Sequence, residues 1–75
     1  MFTLKIGSKK TTHATIKEAR DAHNAKRDAS GQGASRWPRA TIADGNIVYH
    51  VSYNGRVWDR DYARDFDNAV EIKVS

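Results

Sequence analysis

The chain has no cysteine, one proline and one methionine among its 75 residues. Without cysteine there is no disulfide framework and no thiolate metal site, and a cytosolic setting is permitted. No apolar run approaches the roughly 18 residues that a membrane span needs. The stretch Met1-Phe2-Thr3-Leu4-Lys5-Ile6 has no long apolar region, so a secretory signal is not expected there. Hydrophobic residues make up 39% and charged residues 29%, a balance that suits a small globule better than a disordered tail. A single domain over residues 1–75 is expected.

What the chain does have is unevenly placed charge. Thirteen Lys and Arg stand against nine Asp and Glu, a formal net charge of +4. Up to residue 39, nine cations face only three anions, which is +6; from residue 40 onward, four cations face six anions, which is −2. A basic half beside a slightly acidic half suits a polyanion or a charge-steered protein partner. An ordinary soluble surface carries a net charge of the same size.

Phe2, Leu4 and Ile6 alternate with Thr3 and Lys5, as in a half-buried strand. Gly7-Ser8-Lys9-Lys10 reads as a turn, and Thr11-Thr12-His13 as a short second strand. Thr15-Ile16-Lys17-Glu18 matches a capping box, so a helix should begin there. Good helix formers continue to Ala29, and Ser30-Gly31 supplies the stop. Ile16, Ala19, Ala22, Ala25 and Ala29 are read as its inward stripe, with Lys17, Arg20, Asn24 and Arg27 opposite. Gly31 to Ser35 is a connector.

Two hairpin signals follow, Asp44-Gly45 and Asn54-Gly55. As two-residue turns they set residue 42 opposite 47 and residue 51 opposite 58. One face then holds Ala40, Ile42, Ile47, Tyr49, Val51, Tyr53, Arg56 and Trp58, and should meet the Ala stripe. The segment 59–68, with Tyr62 and Phe66 four apart, predicts one or two helical turns pinned by both rings. Val70, Ile72 and Val74 alternate as a last strand. The predicted fold is α+β, β-α-β-β-β-β, an antiparallel sheet of four to five strands packed against one main helix. An Ala-lined helix leaves a thin core, which leaves room for a homodimer through edge-strand pairing, although many domains of this size fold alone.

No enzyme template fits, so the protein is read as a non-enzyme with no cofactor. Gly31-Gln32-Gly33 lacks the third glycine of a dinucleotide fingerprint and follows a helix. His13, His23 and His50 are too scattered for a local metal motif, and each is expected at the surface or its boundary. The Asp59, Asp61, Asp65 and Asp67 cluster is interleaved with Arg60 and Arg64, a self-neutralising pattern rather than a cation cage.

The positive signal is basic and aromatic. Arg36-Trp37-Pro38-Arg39 places two guanidiniums around an indole, Lys9-Lys10 forms a second basic tip, and Arg56 sits beside a turn. Such groups bind phosphates or acidic protein surfaces. Trp37 either lids the core or makes contact, and the helix cations are either a docking stripe or a solvated face. The candidate binding residues are Lys9, Lys10, Lys17, Arg20, Arg27, Arg36, Trp37, Arg39 and Arg56.

The segments 15–19, 27–35 and 51–58 resemble small proteins encoded by phages and mobile elements. Ser52-Tyr53-Asn54-Gly55-Arg56-Val57-Trp58 is the most distinctive part. The order of elements is similar to that of small anti-CRISPR proteins built as a sheet around one helix. Ala14-Thr15-Ile16-Lys17-Glu18-Ala19-Arg20 and Gly55-Arg56-Val57-Trp58 echo their helix start and hairpin. The resemblance covers about half the chain. It implies a phage-type accessory protein in the host cytoplasm that binds a host defence complex, with no catalytic residue and no membrane partner. Many proteins of that class are acidic mimics of nucleic acid. The basic half here departs from them, which implies a grip on an acidic or nucleic-acid-contacting surface. Direct, mostly non-specific binding of DNA or RNA is the alternative.

Overall fold

The computed structural model describes residues 1–33, 35–65 and 67–74. The elements are β1 (Phe2–Ile6), β2 (Lys9–His13), α1 (Ile16–Ser30), β3 (Ala40–Asp44), β4 (Ile47–Val51), β5 (Val57–Trp58) and β6 (Glu71–Ile72). The strands form one antiparallel sheet in the order β2-β1-β3-β4-β5-β6. Helix α1 crosses one face, chiefly over β1 and also over β2 and β3. The α+β architecture is the expected one, with six strands rather than four to five. The additional strand arises at the start. Gly7-Ser8 alone makes the turn, with Gly7 at φ 59°, so Lys9 and Lys10 already belong to β2. A glycine at the first central position is what a two-residue II′ hairpin turn requires.

The helix begins and ends as the sequence indicates. The Thr15 hydroxyl accepts from the Glu18 N–H at 3.1 Å, and the Glu18 carboxylate accepts from the Ala14 N–H at 3.1 Å. Gly31 closes the helix in the left-handed region at φ 67°. The buried face is not the Ala stripe, however. Ala19 and His23 are fully buried, Ile16 and Ala22 are half-buried, and Ala25 and Ala29 are exposed. At 3.6 residues per turn Ala25 lies about half a turn from Ile16, so the two cannot share a face. The inward side is centred between Ala19 and His23. Arg20, Asn24 and Arg27 flank it and are half-buried, rather than lying opposite.

The two hairpins depart from the expected register by different amounts. Across β3–β4, Ile42 pairs with Tyr49 and Asp44 with Ile47, so the turn is Gly45-Asn46. The partner moves by two residues, which leaves every side chain on its expected face. Across β4–β5, Val51 pairs with Val57 and His50 with Trp58. The Ser52 N–H donates to the Arg56 carbonyl at 2.8 Å, so Tyr53-Asn54-Gly55 forms a three-residue loop with Gly55 at φ 87°. That slip of one residue turns β5 over. Val57 enters the core at 1% exposure, and Trp58 lies on the outer face with His50 instead of among Ile42, Tyr49 and Val51. The core consists of Leu4, Ala19, Ala40, Ile42, Val51 and Val57.

The described residues of segment 59–68 form successive turns rather than a helix. The Asp61 carbonyl accepts from the N–H groups of Arg64 and Asp65, and the Asp65 carbonyl from those of Asn68 and Ala69. Tyr62 leans on Trp58, their ring centroids 5.8 Å apart. Phe66, expected as the second pin, lies outside the described residues. The last strand is limited to Glu71–Ile72, and it is held to β5. No helix among the described residues is long and apolar enough to cross a membrane.

Candidate binding grooves

Trp37 sits at the junction between the connector and β3, and its indole is tied to the helix. Its Nε1–H donates to Nε2 of His23 at 2.9 Å, with the two rings edge-to-face at a centroid distance of 5.6 Å. An indole can only donate, so Nε2 must be the acceptor, and the His23 proton lies on Nδ1. That nitrogen donates to Oδ1 of Asn24 at 3.0 Å. The same amide oxygen accepts from Arg27 at 3.4 Å, and Arg27 also donates to the Tyr53 carbonyl and lies over the Tyr53 ring at 5.4 Å. The Tyr53 hydroxyl donates to the Gln32 carbonyl at 2.9 Å, so the chain of bonds returns to the connector. Burial, and secondarily the Arg27 charge, hold the His23 pKa below its ordinary value, against the opposing bond to Asn24. The expectation of a surface or boundary histidine does not hold for His23.

This polar ring sets one wall of a groove of about 450 Å³. Leu4 and Ile6 form its floor, Trp37 and Pro38 one wall, and Lys9 and Lys26 supply its charge. The other wall carries Ser8, Thr11 and Gln32. Among the described residues no carboxylate lines it. Lys9 reaches the groove because β2 alternates and Lys9 pairs with Ile6 on the helix side. Lys26 reaches it because it lies seven residues after the buried Ala19, nearly on the same side of the helix. The side chains of Lys9, Lys10, Lys26 and Arg36 form no ion pair among the described residues. Arg36 is the chain neighbour of Trp37, whereas Lys10 pairs with Lys5 and faces the other side of the sheet.

The other expected site residues lie elsewhere and are engaged within the chain. Lys17 and Arg20 bind Asp21 at 3.0 and 2.8 Å, and their hydrogen bonds hold the Asp21 carboxyl below the usual range. Arg20 also reaches the Val74 carbonyl at 3.3 Å. Arg27 is 17% exposed and committed to Tyr53 and Asp28. Arg39 meets Asp61 at 3.0 Å, and Arg56 meets Glu71 at 3.9 Å. Arg20, Arg56 and Lys73 border a second groove, of about 490 Å³, whose lining includes Glu71. The nine candidates therefore do not form one face. Lys9 and Trp37 come together, Arg36 is the chain neighbour of Trp37, and Lys10 is turned to the outer face with Lys5; Lys26 joins the groove without having been singled out. Its signal was present in the sequence as an unpaired cation on the helix, but a wheel turned to the Ala stripe concealed it.

Among the described residues no group of three His, Cys, Asp or Glu is placed to hold a metal ion. Compared with known proteins, the chain matches no family model, no curated protein and no solved structure.

Proposed function

We propose that the protein acts by binding: it is a phage-type accessory protein that docks a basic face onto a host protein or ribonucleoprotein complex and thereby inhibits a defence system. The observation that best supports this is the groove of Lys9, Lys26 and Trp37, which carries two ammonium groups and, among the described residues, no carboxylate. Cations without an internal partner are the ones available to an external anion. The docking face is therefore Lys9, Lys26 and Trp37, with Arg36 next to Trp37 in the chain, whereas Lys10 lies with Lys5 on the outer face of the sheet. Lys17, Arg20, Arg27, Arg39 and Arg56 contribute less, because each already satisfies a carboxylate or carbonyl of its own chain. The indole wall favours direct nucleic-acid contact as a second reading, since an aromatic ring beside cations is how unpaired bases are held.

Affinity capture from host extract, with and without nuclease, tests the proposal. A defined protein partner that survives nuclease is the expected result. Partners lost on nuclease treatment would move the protein to direct nucleic-acid binding. Recovery of nothing specific would contradict both.

A further inference from the structure

We infer that the Lys9–Lys26 groove receives one nucleotide of a single-stranded nucleic acid, its base against Trp37 and Pro38 and its phosphate between the two ammonium groups. This deepens the proposed docking face and rests on it. The groove volume of about 450 Å³ falls in the roughly 300–1,000 Å³ range of pockets that enclose small molecules. Leu4 and Ile6 give it an apolar aliphatic floor and Trp37 and Pro38 a wall of rings, while Ser8, Thr11 and Gln32 offer donors and acceptors to a base edge. The bond from Trp37 to the buried His23 fixes the indole before any ligand arrives, which removes part of the ordering cost of stacking. An acidic peptide is the weaker match. A peptide carboxylate brings no planar ring to the Trp37–Pro38 side, whereas a nucleotide brings a base and a phosphate together, and lysine ammonium groups bind phosphate as point charges. The guanidiniums Arg20, Arg27, Arg39 and Arg56 are engaged elsewhere.

The two tryptophans supply a built-in control, because Trp58 lies on the opposite face of the sheet. The test is an NMR titration of ¹⁵N-labelled protein, followed at both indole N–H signals, with an oligothymidylate of about 8 nucleotides. The expected result is a saturable shift of the Trp37 signal alone. Affinity should fall about threefold between roughly 50 and 200 mM salt, the slope of one neutralised phosphate on a single strand. Lys9→Ala with Lys26→Ala should abolish the Trp37 shift, and Lys5→Ala, an exposed cation on the outer face, should leave it intact. Equal losses in both variants, or no Trp37 shift, would overturn the inference. Thymidine monophosphate binding as tightly as the strand would overturn the strand as the source. An acidic peptide that shifts Trp37 where the oligonucleotide does not would overturn the ligand class. Capture of a host complex without oligonucleotide binding would overturn this inference alone. Oligonucleotide binding at Trp37 without capture of a complex would support it and remove the inhibitor reading.

Discussion

Trp37 donates its indole N–H to the one ring nitrogen of His23 that can accept it, at 2.9 Å, inside a site where His23 has no solvent exposure. The connector, the helix and the β4–β5 loop are joined through this bond and its continuation to Asn24, Arg27 and Tyr53. The candidate groove therefore inherits its Trp37 wall from the core.

The two tryptophans should respond differently to the same replacement. Trp37→Phe leaves His23 Nε2 buried without a donor, a loss of about 1–3 kcal/mol. Trp58 Nε1 is buried with no hydrogen-bond partner among the described residues. Trp58→Phe removes an unmet donor, and its cost should be confined to lost ring area. Urea denaturation should find Trp37→Phe the less stable variant by at least about 1 kcal/mol. Equal losses would mean that the His23 bond contributes nothing.

The glycines separate backbone strain from crowding. A Cβ at Gly55 would stand 2.5 Å from Oδ1 and 2.7 Å from Nδ2 of Asn24, whereas at Gly45 nothing lies within 4 Å. Both have positive φ, which costs an alanine about 1–2 kcal/mol. Gly45→Ala should lose that amount. Gly55→Ala should lose clearly more, because Asn24 must move and release His23. Comparable denaturation midpoints would show that Asn24 yields without consequence.

Stability should depend on pH through His23. Its folded-state pKa lies below the ordinary 6.5, so the unfolded chain takes up the proton first. The contribution is complete above about pH 6.5 and is lost as pH falls below it. Urea midpoints should drop between about pH 7.5 and pH 5.5, a range above most carboxylate titration. His23→Gln, which keeps an acceptor for Trp37 but cannot titrate there, should flatten the drop. An unchanged slope in that variant would assign the dependence to other groups.

Much of the fold was legible because alternation and caps are local signals. β1, the Thr15 cap and the Gly31 stop follow from a few adjacent residues. Hairpin register depends on loop length, which Asn-Gly and Asp-Gly dipeptides do not determine alone. At Asp44-Gly45 the error was even and harmless, and at Asn54-Gly55 it was odd and exchanged Val57 for Trp58. His23 was not legible as a core residue, since its partner Trp37 is fourteen positions away and only the folded chain brings them together. The basic signal was legible as composition, but which cations are neutralised depends on tertiary pairs such as Arg39–Asp61 and Arg56–Glu71.

The central claim is that the protein works through the groove-side cations rather than through its positive charge in general. Capture from host extract with Lys9→Glu plus Lys26→Glu, beside wild type and Lys5→Glu plus Lys73→Glu, tests it most directly. Both doubles lower the net charge equally, and all four lysines lack an ion pair among the described residues. The account predicts that the partner is retained by wild type and by the Lys5/Lys73 variant and lost from the Lys9/Lys26 variant. Equal retention, or equal loss, in the two doubles would contradict it.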